Sequence, residues 1–401
     1  MSRPRIGIDA RLARFTGIGR YVRGLVNALL QVDREAIYVI LANPENDPTA
    51  VWDWLEGGEA KDEGRLEVVQ SQKPIRPYTL AEQAWLPEVA RSMKLDLMHV
   101  PHWNVALGTR APVVASFHDA TYLSVPGAAP SRLSRMGASF LMKRAARKCA
   151  RILVPSEATR AEIVRVVGAD PAKIATIPLF VDEVASWVER IRRGSCETVS
   201  ERVRSLPRFV LSVGNHLAHK NLPVLVRAFA TVKRELGLRE LVLALAGPKG
   251  RGTPAVLAAV DEAKAQESVV FLGEVTDRDL GYLYDRAACF ATASLAEGFG
   301  LSALEGLAAG TPVIASAIPA HQEVLGDAAL LVAPEERALA GALARVLTTD
   351  ALARDLASRG PARAARYSAA KTARATADVY RQALGLAPVP EAAPLAERGR
   401  A

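Results

Sequence analysis

The sequence predicts an α/β protein made of two Rossmann-like domains that face a central cleft. Three observations carry this expectation. Short apolar runs alternate with helical patterns from the first residues, the alternation lapses near 181–207, and it restarts at Phe209 and runs to about Leu384. Strands separated by helices form parallel sheets covered on both faces. A chain of 401 residues is too long for one ordinary domain and comfortable for two.

In order, Arg5–Asp9 reads as a buried strand and Tyr21–Leu30 as a helix. Ile37–Ala42 and Leu66–Gln70 are strands, Leu80–Met93 is helical, and Leu97–Val100, Pro112–Phe117 and Arg151–Val154 are strands. Val181–Pro207 clusters Glu and Arg with Gly194 and Pro207, which suits a linker with some helix. Beyond it come strands at Phe209–Val213, Leu241–Ala246, Val269–Leu272, Ala288–Thr292, Pro312–Ala315 and Ala329–Val332. Helices are expected at Pro223–Leu236, Asp277–Arg286 and Ser302–Ala309, and again up to about Leu384. The boundaries follow: a first domain over 1–185, a linker over 186–207, a second domain over 208–370, a helix over 371–384 placed to cross back to the first domain, and a disordered Pro/Ala-rich tail over 385–401.

Half the residues are hydrophobic and 23% are charged, a globular composition. The net charge of +8 suggests an anionic partner without choosing between phosphorylated substrate, nucleic acid and anionic lipid. Cys149, Cys196 and Cys289 are widely spaced, which speaks against a disulfide framework or a zinc site and suits a reducing cytoplasm. The start MSRPRIGIDA reads as a strand rather than a signal peptide, and no window is long and apolar enough for a membrane span. No aromatic-basic RNA-binding pattern is present, so nucleic acid is not expected.

Ligands of such sheets bind beyond the carboxyl ends of the strands, so the loops after Asp9, Phe117, Val213, Ala246 and Thr292 are the informative ones. The strongest motif is Glu297-Gly298-Phe299-Gly300-Leu301 leading to Glu305, with seven residues between the two glutamates. Its glycines allow close backbone approach, and a helix starting near Ser302 points free N–H groups at the loop, which suits a diphosphate. A second loop, from Gly214 through Asn215 and His219 to Lys220-Asn221, places a cation where phosphates would be met. A third, Thr16-Gly17-Ile18-Gly19-Arg20-Tyr21, reads as a glycine loop before a helix and a further anion site. It is a poor dinucleotide fingerprint, because Val22 stands where the third glycine belongs and the next strand ends in Asn43 rather than an acid. His118-Asp119 emerges at a strand end, where a histidine can donate to a sugar hydroxyl or orient an acceptor. His99, His102 and Trp103 also sit at a strand end; a tryptophan face there either stacks on sugar or is simply buried. The segment 131–151 carries seven basic and no acidic residues around Leu133, Met136, Phe140 and Leu141, and either lies on an anionic membrane or packs on the sheet with its basic side in solvent.

The block Gly273–Pro334 closely resembles the donor-binding region of family-4 retaining glycosyltransferases, also called glycosyl transferases group 1, which have the GT-B fold. The resemblance is strong over Phe209–Pro334 and moderate over the first 180 residues. It implies that Glu297 contacts the hydroxyls of the donor sugar, that Glu305 holds the nucleotide ribose, and that the amides of Phe299, Gly300 and Leu301 meet sugar and diphosphate. Lys220 matches the phosphate-binding lysine, with Asn215 and His219 where many members carry an arginine, and His118 matches the histidine near the anomeric carbon. The loop at Gly17 and Gly19 would close over the diphosphate. By the same resemblance the first domain binds the acceptor and the second a nucleotide diphosphate sugar, the donor substrate, with no tightly bound cofactor and no metal site. The GIDAR start, TGIGRY loop and HKN segment look like bacterial polysaccharide mannosyltransferases, so GDP-mannose is the first expectation, with a glycan or lipid-linked acceptor and a cytoplasmic place, in contact with the inner face of the plasma membrane through 131–151. Two rivals stay open: a GT-B sugar-nucleotide epimerase that needs no acceptor, and a non-enzymatic scaffold that keeps a vestigial site.

Overall fold

A computed structural model describes residues 3–14, 16–44, 51–56, 58–194 and 199–389. The first domain runs β1 (Arg5–Asp9), α1 (Thr16–Val32), β2 (Ile37–Ala42), α2 (Gly58–Asp62), β3 (Leu66–Gln70), α3 (Leu80–Ser92), β4 (Leu97–Val100), β5 (Val113–Ser116), α4 (Thr121–Ser124), α5 (Arg132–Lys148), β6 (Arg151–Val154), α6 (Glu157–Val167) and β7 (Ile174–Thr176). The strands pair in parallel in the order β3-β2-β1-β4-β5-β6-β7. Alternation along each strand divides the core into two layers. Ile6 and Ile8 of β1 with Tyr38 and Ile40 of β2 face α1, while Val39 and Leu41 face the layer that holds Leu86, Met142 and Ile163.

The second domain begins with α7 (Asp182–Arg192) and α8 (Glu201–Arg204). It continues through β8 (Phe209–Val213), α9 (Leu222–Glu235), β9 (Val242–Ala246), α10 (Thr253–Glu262), β10 (Val269–Gly273), α11 (Asp277–Arg286), β11 (Cys289–Thr292), α12 (Leu301–Ala309), β12 (Val313–Ser316), α13 (Pro319–Leu325), β13 (Leu330–Val332), α14 (Glu336–Thr348), α15 (Asp350–Ala364) and α16 (Ala369–Ala383). Among the described residues its sheet is also parallel, ordered β10-β9-β8-β11-β12-β13.

The stretch expected as a linker is structured in part. Val184, Trp187, Val188 and Ile191 of α7 bury against Leu283 of α11 and Leu307 of α12, inside the core of the second domain. The packing is tight enough that a Cβ on Gly281 would stand 2.8 Å from Trp187 Cβ. Cys196 lies outside the described residues, as does most of the tail, from 390 onward. Cys149 and Cys289 are both buried and unpaired.

The last helix, α16, leaves the second domain and packs on α1 of the first, burying Ala373, Ala377 and Tyr380. Thr372 Oγ1 donates to Pro178 O at 2.8 Å, and the Ala369 amide donates to Asp182 Oδ2 at 2.6 Å. Tyr380 OH and His99 Nδ1 share a hydrogen bond of 2.6 Å, and His99 Nε2 and Ser116 Oγ share one of 2.9 Å. Ser116 also shares a hydrogen bond of 3.0 Å with Tyr21 OH. His99, grouped from sequence with the strand-end histidines, is therefore a fully buried strut between β4, β5 and α16. Burial, and then the neighbouring His118, hold it neutral down to about 3. Replacing Tyr380 with Phe leaves a buried ring nitrogen without its hydrogen-bond partner, and the expected loss of stability is about 1–3 kcal/mol, to be read as a lower urea midpoint at unchanged m-value.

Candidate functional site

Both sheets turn their carboxyl ends toward the cleft, and the loops that leave them meet there. On the second domain, β11 leads through Ser294 to the loop of Glu297. Gly300 caps α12 at φ +84°, in the left-handed region, and a Cβ on it would stand 2.6 Å from the His321 ring, so only glycine serves. Lys220, delivered by the turn after β8, puts Nζ 2.6 Å from Glu297 Oε1, and Ser294 Oγ donates to the same oxygen at 2.7 Å. Burial pushes the Glu297 carboxyl up, but Lys220, then His321 and the two hydrogen bonds, outweigh it and hold the group at about 2. The carboxylate is therefore ionised at any ordinary pH.

Glu305, one turn into α12, is 1% exposed and behaves in the opposite way. Burial raises its pKa, opposed by the Arg20 guanidinium and by Tyr284 OH, which donates to Oε2 at 2.8 Å. Arg20 reaches Glu305 across the cleft from α1 of the first domain and forms an ion pair with Oε1. A narrow pocket opens beside this pair, lined by Tyr21, Phe180, Glu183, Trp187 and Leu301.

On the first domain, His118 follows β5. Its Nε2 lies 3.0 Å from Pro101 O, and since a carbonyl only accepts, Nε2 carries the proton and Nδ1 keeps its lone pair. Burial lowers the pKa, so the ring is neutral near pH 7. Of the two expected uses of this histidine, donating to a sugar hydroxyl or orienting an acceptor, the arrangement favours the second, since the nitrogen left over is an acceptor. Tyr21 packs edge-on at a ring distance of 4.9 Å.

The two domains touch through the loop that carries Glu297 and Gly298. Gly298 O accepts from Ser156 Oγ at 2.6 Å and from Thr159 Oγ1 at 2.8 Å, both at the start of α6. Glu323 of α13 accepts from the amides of Glu157 and Ala158 at 2.8 and 3.0 Å, so a carboxylate of one domain caps a helix of the other. A Cβ on Gly298 would fall 1.7 Å from His118 O.

The structure gathers Glu297, Lys220, Gly300, Leu301 and Glu305 around the start of α12, with His118 opposite. Phe299 turns its side chain inward, edge-on to Tyr367 at 5.4 Å. Asn215 lines a small cavity with Lys220, Gly214 and Thr292, and its Oδ1 has no hydrogen-bond partner among the described residues. Gly17 and Gly19 differ from expectation: they lie within the first turn of α1 rather than in a loop before it. At Gly19 the reason is steric, because a Cβ would stand 2.5 Å from Ala13 O; at Gly17 there is open space. Among the described residues, no group of acidic, histidine or cysteine side chains could hold a metal.

Sequence reasoning missed Arg20, Tyr284, Ser294, His321, Ser156 and Thr159. Arg20 left a signal. It is a cation beside the glycines of a segment read as an anion site, near the amino end of a helix whose dipole does not favour it.

The chain matches the family model of glycosyl transferases group 1 over residues 199–363 and that of glycosyltransferase family 4 over residues 15–184. It is 30% identical over 355 residues to a D-inositol 3-phosphate glycosyltransferase of Saccharomonospora viridis, covering 84% of this chain and 79% of that protein. The chain belongs to the group 1, family 4 glycosyltransferases. Against the O-antigen chain mannosyltransferase B of Escherichia coli this glycosyltransferase is 28% identical over 375 residues, 91% of its own length and 96% of the relative's. Among solved structures, the sucrose-phosphate synthase of Thermosynechococcus elongatus superposes with a TM-score of 0.73 at 21% identity, over 96% of this chain and 100% of that one, and the shared architecture is GT-B.

Because Gly298 lies flush against His118, Gly298→Ala is expected to separate the two domains while leaving both cores folded. Small-angle scattering should then show a larger radius of gyration with unchanged helical signal. An unchanged scattering profile would rule out the contact as the closing constraint.

Proposed function

We propose that this glycosyltransferase moves a hexose, with retention, from a nucleotide diphosphate sugar to a glycan or lipid-linked acceptor in polysaccharide assembly, GDP-mannose being the first donor to test. The observation that carries the reading is the contrast between the two glutamates. Glu297, held as an anion and paired with Lys220, suits fixed hydrogen bonds from sugar hydroxyls. Glu305, buried against Tyr284 and Arg20, suits a ribose. The mannosyl part rests on the likeness to the Escherichia coli relative, whose name states a mannosyltransferase.

The chemistry assigned to the chain is mostly electrostatic. Charge builds on the leaving diphosphate, and Lys220 together with the amino end of α12 meets it with preorganised positive potential. Neither glutamate is free to act as a nucleophile, since Glu297 is held by Lys220 and Ser294 and Glu305 by Arg20 and Tyr284. This favours substitution on the face that the leaving group vacates, with the departing phosphate taking the acceptor proton. The lone pair on His118 Nδ1 would accept a hydrogen bond from a sugar hydroxyl. Closure over the Gly298 contact would exclude water from the donor.

Calorimetry against UDP, GDP, CDP and ADP and their sugars is the test. One nucleoside diphosphate should bind selectively, Glu305→Ala should weaken it, and Lys220→Ala should lower kcat by about 10²–10³-fold. A flat response to every nucleotide would leave the vestigial scaffold as the better reading, and turnover of the sugar nucleotide to its epimer without acceptor would favour the epimerase.

The reading includes peripheral contact with an anionic membrane. Helix α5 leaves Leu133, Met136, Phe140 and Leu141 exposed on one side, at 79, 68, 58 and 44%, among Arg132, Arg135, Lys143 and Arg144. No helix among the described residues is long and apolar enough to cross a membrane. A side chain that gains nothing from the protein core gains from lipid, and the basic flank adds attraction that salt screens. The protein should co-sediment with phosphatidylglycerol vesicles at low salt, not with pure phosphatidylcholine, and Arg144→Glu with Phe140→Ser should abolish it.

A further inference from the structure

Beside His118 stands a group of aromatic side chains that the donor chemistry leaves unused. Tyr78 comes from the loop before α3, and His102 and Trp103 from the loop after β4. The Tyr78 and Trp103 rings lie 4.7 Å apart, the His102 and Trp103 rings 5.1 Å apart, and Tyr78 OH and His102 Nδ1 share a hydrogen bond of 2.6 Å. Tyr78 is 49% exposed, while His102 and Trp103 are half-buried, Trp103 with one side on the core of the first domain, so the cluster still presents surface to solvent.

The cluster is held at a cost. Tyr78 has φ +64°, in the left-handed region that an aromatic residue rarely adopts. Its amide donates to Glu82 Oε2 at 2.7 Å. The other oxygen of Glu82 takes Arg11 Nη2 at 2.6 Å and the amide of Asn104, the neighbour of Trp103. Arg11 pairs in turn with Asp9 at 2.6 Å. One fully buried carboxylate thus clamps both halves of the cluster. A buried ion network gives little net stability by itself, so its use here points to positioning.

The cluster also adjoins His118 and the Gly298 loop. His102 follows Pro101, whose carbonyl takes the His118 proton at 3.0 Å. Asp119, near enough to help burial and Glu82 raise the Tyr78 phenol, would lie 3.2 Å from a Cβ on Gly298 of the donor loop. His102 stays neutral, its pKa lowered to about 3 by burial and by His118, and burial pushes the Tyr78 phenol up, so none of the three rings carries a charge at ordinary pH.

We propose that Tyr78, His102 and Trp103 form the acceptor subsite and that its ligand is a neutral pyranose, seated with its C–H face on the rings. One side of a pyranose is apolar and its rim carries hydroxyls. Aromatic faces take the first, and the edges of tyrosine and histidine take the second. Glu82, Asn104 and Arg11 are positioning residues for this surface. The assignment as acceptor rests on the glycosyltransferase reading, whereas pyranose binding does not.

The test is saturation-transfer NMR with a panel of methyl hexopyranosides, beside calorimetry with nucleoside diphosphates on the same protein. Wild type should bind at least one methyl hexopyranoside through its C–H protons. Trp103→Ala and Tyr78→Ala should each weaken it about tenfold, and Tyr78→Phe, which keeps the ring, should weaken it less. Nucleotide affinity should be unchanged in all three. Equal pyranoside binding in wild type and both alanine variants would overturn the proposal, as would no pyranoside binding in wild type. Pyranoside binding at these residues in a protein that binds no nucleotide would uphold the subsite and sink the glycosyltransferase mechanism.

Discussion

The carbonyl of Gly298 is the point on which the cleft depends. It belongs to the loop that follows β11 in the second domain, yet its two hydrogen bonds come from Ser156 and Thr159 of the first. On its other side the Cα lies against the His118 backbone with no space for a methyl group. Each buried hydrogen bond is worth about 0.5–1.5 kcal/mol, so the contact is firm without being permanent. The same few atoms set the spacing between the domains and the spacing between Glu297 and His118. Domain arrangement and site geometry are therefore one constraint.

Around that point the protein treats two identical side chains in opposite ways. Glu297 and Glu305 flank the start of one helix and both are sheltered from water. One has a lysine and a hydroxyl beside it and stays an anion; the other has a phenol and an arginine that arrives from the facing domain, and burial still raises its pKa. Environment rather than residue type divides their roles. Arg20 ties the second environment to the domain arrangement, because it is the first domain that supplies it.

Much of this was legible in the sequence. Strand and helix positions followed from apolar period, so β1, β2, β3, β4 and β8 match expectation to the residue, and the helices at α1, α9 and α12 differ only at their ends. Glu297, Lys220 and His118 stood out because each sits in a loop after a strand, and Glu305 because it lies at fixed spacing from Glu297 in the helix that follows. The short strand β7 and helix α10 left too weak a pattern to be singled out. Gly17 and Gly19 misled, since a glycine that avoids a collision with Ala13 and one that opens a loop look alike as letters. What could not be read were partners distant in sequence. Tyr284 for Glu305, Ser156 for Gly298 and Tyr380 for His99 are pairings made by the fold, and no local period announces them. The hold of Glu82 on Tyr78 is local in sequence but depends on Arg11 and Asn104, which arrive from other strand ends.

The return of α16 to the first domain has a consequence for how the chain is made. Residues 369–383 complete a core that begins at Ile6, and Tyr380 closes the hydrogen-bond strut through His99 and Ser116. A ribosome releasing this chain from its amino end exposes the first sheet long before its last helix exists. That sheet must wait, with the α16-facing side of α1 uncovered, until the entire second domain has emerged. The protein begins to fold at one end but cannot finish there first. Nascent chains stopped before Tyr380 would present apolar surface to chaperones, and full-length release would be the event that hides it.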